Sequence, residues 1–486
     1  MIRAVAFFAL LPLCAEPGVV RVRLTQSQQH RVVSIGIEQY VAAVLAGESS
    51  VFQSDEALKA MAVVVRTYAT RLQGRHSKEG YDFCSTTHCQ RVELGAVTPR
   101  LLAAAEATSG ELIWYEGKPA FTSYTANCGG RTEEARSVWE GIGAPYLKSL
   151  DDPYCLRSGG APWHWTAAPQ EIVGALREYG LKCPAALQEI AEEKKTVSGR
   201  AKQLRLSGGG EVISIDASSF RFAMGRVLGW NTIRSNRFDV RFSDGRFVFD
   251  GKGAGHGVGL CQRGAEQMGT EGRSYREILS FYFPDNLIGL NAKGLKWTRL
   301  GGETVAVMTT RPDHDAPLVS QADRLTHALS NETHLATPRN IEIRVYPDVD
   351  TFRNATGEPG WVAAETRGTR IHLQPTAAQG ALRHELLHVL VESQAKPDLP
   401  VWFREGLVEY LDSPSHPSTD GTTVIEVDMR QRTDAPRARA AYAAAKQQVA
   451  SLVQRYGTGT VSGWLTRGLP PELNLSTNSQ APTKSK

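Results

Sequence analysis

The sequence predicts a multidomain α+β protein in which a large mixed α/β domain precedes a smaller α+β domain. The chain has 486 residues, which is enough for about two to three domains. Alternating strand-like patterns are interspersed with helical patterns as far as about residue 295. A polar junction containing glycine and proline follows, and a further patterned block runs to about residue 468.

The composition is that of an ordinary globular protein, with 41% hydrophobic and 22% charged residues. A formal net charge of +4 is small for this length and does not indicate a nucleic-acid partner. The mild basicity suits an anionic cell-wall polymer or a membrane surface. Beyond the N-terminus, no segment approaches the ~20 apolar residues that a membrane helix needs.

The N-terminus has the pattern of a secretory signal peptide over residues 1–15. Arg3 precedes an apolar run from Ala4 to Leu13, and cleavage after Ala15 fits the pattern. The expected location is therefore secreted, periplasmic or otherwise in the cell envelope. A lipid anchor on Cys14 and an uncleaved anchor remain alternatives, although Leu13 is large for a lipobox. An exported chain can form disulfides, but its other six cysteines allow fifteen pairings.

The first domain, 18–295, begins with the strand patterns GVVRVRLTQ and HRVVSIGI. The stretches IEQYVAAVLAGE and SDEALKAMAVVVRTYATRLQ have helical apolar spacing, and GELIWYEGKPAFTSYTA predicts a hairpin turning at Gly117. An inserted α+β stretch, about 163–250, predicts helices around Gln170–Tyr179 and Ala185–Lys194. Its strands are RFDVRFS and RFVFDG. Residues 296–325 are expected to form a linker.

The last domain, 326–468, contains His384, Glu385 and His388 in the order H-E-x-x-H, and a polar tail, 469–486, is expected to be disordered. Residues four apart share one face of a helix, so both imidazoles can reach one ion, with Glu385 beside them. A catalytic zinc needs three protein ligands and one open position. The third ligand is predicted to be Glu405 of WFREGLVEY, and Glu409 is its rival.

This block resembles the gluzincin metallopeptidases, specifically the small peptidase MA-like domains. The resemblance covers roughly residues 330–468, where WVAAETRGTRIHLQP supplies the strands and AYAAAKQQVASLVQRYG the closing helix. It implies a zincin-like α+β fold and a catalytic zinc held by His384, His388 and Glu405. It also implies that Glu385 is the general base for cleavage of a peptide or protein substrate.

A second set of motifs lies in the first domain, in the order YVAAVLAGESS, ALKAMAVVVRTYA, DFCSTTHCQ, SYTANCGGRTEEARSVWEGIGAPYLKSLDDPYC and GKGAGHGVGLCQRGAEQM. This set resembles the stage II sporulation protein D family, also called the amidase enhancer domain, over about residues 20–290. The resemblance implies a lytic transglycosylase that acts on peptidoglycan glycan strands. A role in sporulation does not follow, because the domain occurs widely in bacteria.

A lytic transglycosylase can work with one carboxyl group, because the sugar's own 6-hydroxyl replaces water as the nucleophile. By the family motif, Glu48 is this acid and base, and Arg66 of RTYA is the active-site arginine. Tyr124, His256 and Gln262 are expected to line the substrate groove. The alternatives are that Glu48 begins a surface turn, that Arg66 pairs structurally with Glu48 or Asp55, and that His256 only supports the glycine-rich loop. The family usually has Met-Pro after its glutamate, and Ser49-Ser50 stand there instead.

Four potential zinc ligands lie close together in HSKEGYDFCSTTHCQ, namely His76, Cys84, His88 and Cys89. Two thiolates and two imidazoles suit a structural zinc, and some family members carry zinc here. A Cys84–Cys89 disulfide and free thiols are the alternatives. Cys128 and Cys155 are a further potential disulfide pair.

The preferred hypothesis is a secreted protein with two enzymes, a glycan-cleaving transglycosylase and a zinc metallopeptidase. In one alternative, the first domain binds glycan without cleaving it and stimulates a separate cell-wall amidase. In another, it only anchors the peptidase to the cell wall.

Overall fold

The computed structural model describes residues 18–26, 29–377, 381–414, 429 and 435–474. The predicted signal peptide, Cys14 and residues 475–486 of the predicted tail lie outside this range. The chain divides into two compact units, and the division falls between Leu295 and Lys296. Within the described residues, no helix is both long and apolar enough to cross a bilayer.

The first unit contains helices and short strands in mixed order. Its helices are α1 (Ile37–Glu48), α2 (Asp55–Leu72), α3 (Pro99–Ala107), α4 (Ala135–Val138), α5 (Pro153–Arg157), α6 (Pro169–Glu178), α7 (Ala217–Leu228), α8 (Gln262–Thr270) and α9 (Tyr275–Tyr282). Its strands are β1 (Val19–Gln26), β2 (Gln29–Gly36), β3 (Phe83–Cys84), β4 (Leu112–Tyr115), β5 (Lys118–Pro119), β6 (Tyr124–Thr125), β7 (Pro162–Ala167), β8 (Glu189–Lys195), β9 (Ala201–Gly208), β10 (Glu211–Asp216), β11 (Phe238–Ser243), β12 (Arg246–Lys252), β13 (Leu260–Cys261) and β14 (Leu287–Gly289).

The second unit is built on one sheet. Its strands are β15 (Thr298–Gly301), β16 (Val305–Thr309), β17 (Ile341–Val345), β18 (Ala364–Arg367) and β19 (Arg370–Leu373). Its described helices are α10 (Pro312–Thr333), α11 (Val349–Thr356), α12 (Leu382–Glu392), α13 (Val401–Asp412), α14 (Ala435–Tyr456), α15 (Thr458–Arg467) and α16 (Pro471–Asn474).

Helices α1 and α2 form the centre of the first unit, as their apolar spacing predicts. The antiparallel β1–β2 hairpin leads directly into α1, and the Ser54 side chain caps α2 by accepting the backbone N–H of Ala57. Both helices bury their apolar faces in one core. Because α1 ends at Glu48, that side chain lies at the margin of the core.

The hairpin predicted at Gly117 is confirmed, since β4 pairs with β5 and Gly117 has a φ of 78°. The helix predicted around Ala185–Lys194 is wrong, because this segment contains strand β8. Ile190 pairs in register with Leu206 of β9, and both side chains are buried. Alanine, glutamate and lysine favour helix by less than about 1 kcal/mol per residue, so strand pairing and burial override that preference.

The inserted stretch has its own hydrophobic core within the first unit. Two three-stranded antiparallel sheets, ordered β10-β9-β8 and β11-β12-β7, surround it together with α6 and α7. Helix α6 and strands β11 and β12 lie where the sequence predicts them. The insert is therefore a separately packed part of the first unit.

The sheet of the second unit has the order β15-β16-β17-β19-β18. Strands β16, β17 and β19 are parallel, and the two edge strands are antiparallel to their neighbours. Residues 296–325, for which the sequence predicts a linker, instead form β15, β16 and the first part of α10. The apolar residues of β16 are buried between two strands, which explains why this segment is ordered.

Candidate functional site

A cleft of about 930 Å³ opens on the first unit. It lies where the helical core, the loop 253–259 and the insert meet. Four of the predicted catalytic and substrate-binding residues line it, namely Glu48, Tyr124, His256 and Gln262, and so do His88 and Cys89 of the predicted zinc cluster. Glu48 comes from the end of α1, Tyr124 from β6 and Gln262 from the start of α8.

The Glu48 carboxyl group is partly buried in the cleft. Burial raises its pKa above the usual range, which favours the protonated acid. Two hydrogen bonds oppose this shift, one from the backbone N–H of Arg91 at 3.0 Å and one from the Tyr124 side chain. Glu48 is therefore held in a fixed position as an acid of increased proton affinity.

Gln262 and His256 support this arrangement. The Nε2 of Gln262 donates to the backbone carbonyl of Glu48 at 2.9 Å, which ties α8 to the end of α1. The Nδ1 of His256 accepts the backbone N–H of Val258 at 3.0 Å. Burial, with Arg221 and Arg200 nearby, lowers the His256 pKa to about 3, so the ring is neutral at physiological pH. A neutral, fixed ring is suited to positioning rather than to carrying charge.

Arg66 does not contribute to the lining of the cleft, contrary to the prediction that it is an active-site residue. Its side chain is 2% exposed and forms a two-pronged ion pair with Glu38, at 2.9 Å from Nε to Oε1 and 2.5 Å from Nη2 to Oε2. Further donors of the guanidinium bond Thr108 and the carbonyls of Ala105 and Glu111. Arg66 therefore forms a structural ion pair, which was the alternative prediction, but its partner is Glu38 rather than Glu48 or Asp55.

Aromatic side chains that the sequence analysis did not single out form parts of the cleft wall. Trp139 contacts Phe121 and His256, with ring centroids 5.8 and 4.9 Å apart. On the insert side, Phe222 packs against Trp230, and both remain exposed. Trp139 lies in one of the recognised motifs, but nothing in the insert's sequence marks Phe222 or Trp230 as cleft residues.

Two arginines of the insert, Arg200 and Arg221, also line the cleft. The Nε atom of each is buried and has no hydrogen-bond partner. Desolvation lowers the pKa of both guanidinium groups. Unpaired buried cationic donors are costly, so this wall is suited to an anionic or carbonyl-bearing ligand.

A second carboxylate, Glu133, lies in the lining but is already engaged. It accepts hydrogen bonds from the hydroxyls of Thr196 and Ser198, and its side chain is 1% exposed. Glu133 therefore connects the main body of the unit to the insert. The hydrogen bonds of the Glu48 side chain come instead from Arg91 and Tyr124, outside the insert.

The residues His76, Cys84, His88 and Cys89 come together as the sequence predicts. Their donor atoms all lie within 4.8 Å of one another. The Nε2 of His76 is 3.3 Å from the Sγ of Cys89, and the Nδ1 of His88 is 3.6 Å from the Sγ of Cys84. A tetrahedral zinc separates its ligand atoms by roughly 3.3–3.8 Å, so the set fits this ion. Both cysteines are free in the structure, which does not favour the disulfide.

The two thiols of this cluster differ in acidity. Burial alone would raise the pKa of Cys84, but hydrogen bonds from Thr86 and His88 outweigh it and lower the pKa to about 7. Burial raises the pKa of Cys89 to about 11. Only one residue, Gln90, separates Cys89 from Arg91, whose N–H binds Glu48. An ion at this cluster would therefore also fix one wall of the cleft.

In the second unit, α12 and α13 bring together the predicted metal ligands. The Nε2 atoms of His384 and His388 are 3.2 Å apart, and the Nε2 of His388 is 3.6 Å from the Oε2 of Glu405. Glu405, rather than Glu409, is the carboxylate paired with His388. Among the described residues, His384, His388 and Glu405 are not a set whose donors all lie within 4.8 Å of one another.

Burial shifts the pKa values of two side chains at this second site. Burial lowers the pKa of His388 to about 3, and burial together with Glu392 raises the pKa of Glu405 to about 8. Two imidazoles and a carboxylate are the donor set of several catalytic zinc sites. The chemistry of this donor set suits zinc, although its three donor atoms do not all lie within 4.8 Å of one another.

Glu385 is buried, and burial raises the pKa of its carboxyl group. Its Oε2 accepts the Thr366 hydroxyl of edge strand β18 at 2.6 Å. Asp412, which the sequence analysis missed, lies 3.4 Å from the Nδ1 of His384. A carboxylate on the far nitrogen of a histidine typically orients the other nitrogen towards a metal.

Comparison with known proteins supports the interpretation of the first unit. Residues 25–115 match the family model described as Stage II sporulation protein (SpoIID), a range that includes Glu48 and the His/Cys cluster. An uncharacterized protein of Brachyspira hyodysenteriae is 32% identical over 255 residues, which are 52% of this chain and 66% of that protein.

Two named relatives are more distant. The Stage II sporulation protein D of Bacillus amyloliquefaciens is 27% identical over 55% of this chain and 80% of its own length. The Amidase enhancer of Bacillus subtilis is 26% identical over 50% of this chain and 39% of its own length. Residues 25–115 of the first unit are therefore similar to the Stage II sporulation protein family, in agreement with the resemblance of the sequence motifs.

Proposed function

We propose that the first unit is a lytic transglycosylase that cleaves the glycan strands of peptidoglycan, with Glu48 as its acid and base. The observation that carries this proposal is a cleft acid whose pKa is raised by burial and whose position is fixed by Arg91 and Tyr124. The match to the SpoIID family supports a cell-wall function for this unit, and the name of the Bacillus subtilis relative supports a connection to amidases.

The proposed reaction requires one carboxyl group and no water. The protonated Glu48 donates its proton to the glycosidic oxygen while the bond from that oxygen to the anomeric carbon breaks. The 6-hydroxyl of the muramic acid attacks the same carbon, and its proton passes to the Glu48 carboxylate. The acid is thereby regenerated, and the product is a 1,6-anhydro sugar. Ordinary glycosidases need a second free carboxylate, and here Glu133 is engaged elsewhere.

The cleft walls suit a peptidoglycan strand. Trp139 and Phe121 offer aromatic faces for sugar rings on one side, and Phe222 and Trp230 do so on the other. The guanidinium groups of Arg200 and Arg221, two residues that line the cleft, suit the carboxylate or peptide carbonyls attached to muramic acid. These contacts would position a glycosidic bond against Glu48.

The test is product analysis on purified glycan strands. Wild-type protein should release fragments ending in 1,6-anhydromuramic acid, and Glu48→Gln should reduce their rate of formation by about 10²–10⁴-fold. Glu178→Gln, which alters an exposed glutamate of α6, is the matched control and should retain full activity. Reducing ends that carry oxygen from ¹⁸O-labelled water would contradict the mechanism, because they indicate hydrolysis.

The alternative is a non-catalytic domain that binds glycan and stimulates a separate cell-wall amidase. The same experiment separates the two functions. Binding of the strands without any cleavage, combined with faster release of stem peptides by an added amidase, would support the alternative. Loss of the anhydro product in Glu48→Gln with unchanged binding would support catalysis.

We further propose that the second unit is a zinc metallopeptidase. The contacts from His388 to His384 and to Glu405 favour it, together with the buried Glu385 beside them. His384, His388 and Glu405 would hold the zinc ion, which supplies Lewis-acid polarisation of water and of the scissile carbonyl. Glu385 would accept the proton of the attacking water and deliver it to the leaving amine. Edge strand β18, which carries Thr366, has one unpaired side on which an extended peptide can align.

Zinc content tests the second site directly. Replacing both His384 and His388 with alanine should lower the bound zinc by one ion per chain. Glu405→Ala should lower the affinity for zinc, so that a chelator removes the ion more readily, whereas Glu409→Ala should not. Equal zinc content in the wild-type and double-histidine proteins would contradict the proposal. The proposed glycan substrate is a cell-wall component, in keeping with a cell-envelope location.

We also propose that His76, Cys84, His88 and Cys89 hold a structural zinc ion. The support is that all four donor atoms lie within 4.8 Å of one another. Replacing Cys84 and Cys89 with serine should remove one further zinc ion per chain. Unchanged zinc, or a Cys84–Cys89 disulfide in the purified protein, would contradict this assignment.

A further inference from the structure

A second group of potential metal ligands lies inside the first unit, separate from the His/Cys cluster. It consists of Cys128, Asp152, Cys155 and Cys261, whose donor atoms all lie within 4.8 Å of one another. The four residues come from three distant segments of the chain, and each is fully buried, with 0% exposure. Buried thiols pack as small apolar groups, but a fully buried carboxyl group beside three of them loses its hydration and calls for partners.

The environments of the sulfurs differ. The Sγ of Cys261 accepts the backbone N–H of Cys128 at 3.2 Å and of Gly264 at 3.4 Å, at the N-terminus of the nine-residue helix α8. The Sγ of Cys155 donates to the Oδ1 of Asn127 at 3.1 Å. Backbone N–H donors and a helix N-terminus stabilise the charged form of a cysteine.

The carboxylate is oriented in the same way. The Oδ1 of Asp152 accepts the N–H of Cys155 at 2.8 Å, and its Oδ2 accepts the Tyr282 hydroxyl at 2.8 Å and contacts the Sγ of Cys128 at 3.2 Å. A Cβ on Gly264 would lie 2.0 Å from the Tyr282 hydroxyl and 2.6 Å from Asp152 Oδ2. The pocket is therefore closely fitted around these oxygens, and outer partners of this kind are typical of metal ligands.

We propose that Cys128, Cys155, Cys261 and Asp152 hold a buried structural zinc ion. A closed tetrahedral set rich in thiolates is typical of structural zinc, and four donors this close together enclose one ion rather than an iron–sulfur cluster. The competing explanation is a Cys128–Cys155 disulfide, as expected in an exported protein. It would use only two of the three sulfurs and leave Cys261 and Asp152 buried without a common partner.

This ion would stabilise the floor of the cleft. Cys261 directly precedes Gln262, which binds the carbonyl of Glu48, and the carbonyl of Cys128 accepts the Nη2 of Arg200 at 2.7 Å. The site would thus connect the acid-bearing side of the cleft to the arginine-bearing side. The inference concerns metal binding alone and does not depend on whether the cleft cleaves glycan.

The test starts from a background variant that lacks the other proposed zinc ligands, through Cys84→Ser, Cys89→Ser, His384→Ala and His388→Ala. Purified under reducing conditions, the full chain should retain one zinc per chain by elemental analysis. Adding Cys155→Ser should reduce this to near zero. Adding Cys183→Ser, which alters a cysteine of the insert outside the group, should leave it at one. Background protein without zinc, or Cys155→Ser protein that retains it, would overturn the proposal.

A second measurement needs no substitution in the buried group. X-ray absorption at the zinc edge of the background variant should show about three sulfur ligands at about 2.3 Å and one oxygen at about 2.0 Å. In wild-type protein denatured without reductant, Cys128, Cys155 and Cys261 should each be recovered as alkylated peptides. A zinc shell without sulfur, or a Cys128–Cys155 peptide linked by a disulfide, would overturn the assignment.

Discussion

Two glutamates, Glu48 in the first unit and Glu385 in the second, are held in similar ways but beside different neighbours. Burial raises the pKa of both carboxyl groups, and each accepts a hydrogen bond from one hydroxyl, that of Tyr124 or Thr366. Glu48 is otherwise bound by a backbone N–H, whereas Glu385 adjoins His384 and its proposed metal site.

The comparison shows that the neighbours, rather than the side chain, determine the chemical role. Without a cation beside it, a buried carboxyl group keeps its proton and is suited to act as an acid. Beside a metal ion, the same group loses its proton and is suited to act as a base. The predictions below test this distinction, beginning with the largest expected effect.

Glu385→Gln should abolish most peptide hydrolysis, lowering kcat by about 10²–10⁴-fold, because the amide cannot accept a proton. Zinc content should remain that of the wild-type protein, since Glu385 is not a ligand, and glycan cleavage should be unchanged. The measurement is hydrolysis of a casein or stem-peptide substrate alongside elemental analysis. Loss of zinc in this variant would make Glu385 a ligand rather than a base.

Arg66→Ala should destabilise the first unit by about 3–5 kcal/mol, because it leaves the Glu38 carboxylate buried without its partner. The free energy of unfolding in urea gives the measurement. Glu38→Gln combined with Arg66→Met should recover part of the loss, since neither charge then remains buried. If Arg66→Ala unfolds normally but cleaves glycan far more slowly, Arg66 has the active-site role that the sequence motif implies.

Arg66 shows where sequence reasoning succeeds and where it fails. The family resemblance predicted that Glu48, Tyr124, His256 and Gln262 would lie in one groove, and all four line the cleft. Arg66 lies in an equally distinctive motif, but a motif does not tell whether its side chain reaches solvent. The buried ion pair with Glu38 and the bond to the carbonyl of Ala105 in α3 favour a structural role.

The insert and the second unit show a different limit. The segment containing β8 has helical propensity, and β16 lies within the segment 296–325 that was predicted to be a linker. Strand pairing decides the structure of both, and pairing partners are distant in sequence. For the same reason, Arg200 and Trp230 were not recognised as cleft residues. By contrast, Glu405 was predicted because its helix is close in sequence to H-E-x-x-H.

Trp139→Ala should weaken binding of glycan by about 5–30-fold, corresponding to about 1–2 kcal/mol of lost aromatic contact. The effect should appear in KM, with kcat nearly unchanged, because Trp139 forms the wall of the cleft beside Phe121 and His256. Trp361→Ala, an exposed residue of the second unit, should change neither constant. A fall in kcat without a change in KM would show that Trp139 positions the reacting bond instead.

Tyr124→Phe should shift the pH dependence of glycan cleavage. A carboxyl group whose pKa is raised keeps its proton to higher pH, so cleavage that needs the acid form is lost as the pH rises through that pKa. The Tyr124 hydrogen bond lowers the Glu48 pKa, and removing it should raise the pKa further. A hydrogen bond contributing about 0.5–1.5 kcal/mol corresponds to a shift of about 0.4–1.1 pH units.

The alkaline limb of the pH profile of kcat/KM should therefore shift to higher pH in Tyr124→Phe, even if the absolute rate falls. Tyr68→Phe is the matched control, because Tyr68 also lines the cleft but bonds Arg75 rather than Glu48, and its limb should stay in place. A limb that shifts to lower pH would mean that Tyr124 does not stabilise the charged Glu48 carboxylate. A limb that persists in Glu48→Gln with residual activity would belong to another group, and Glu48 would then lose its assignment as the acid.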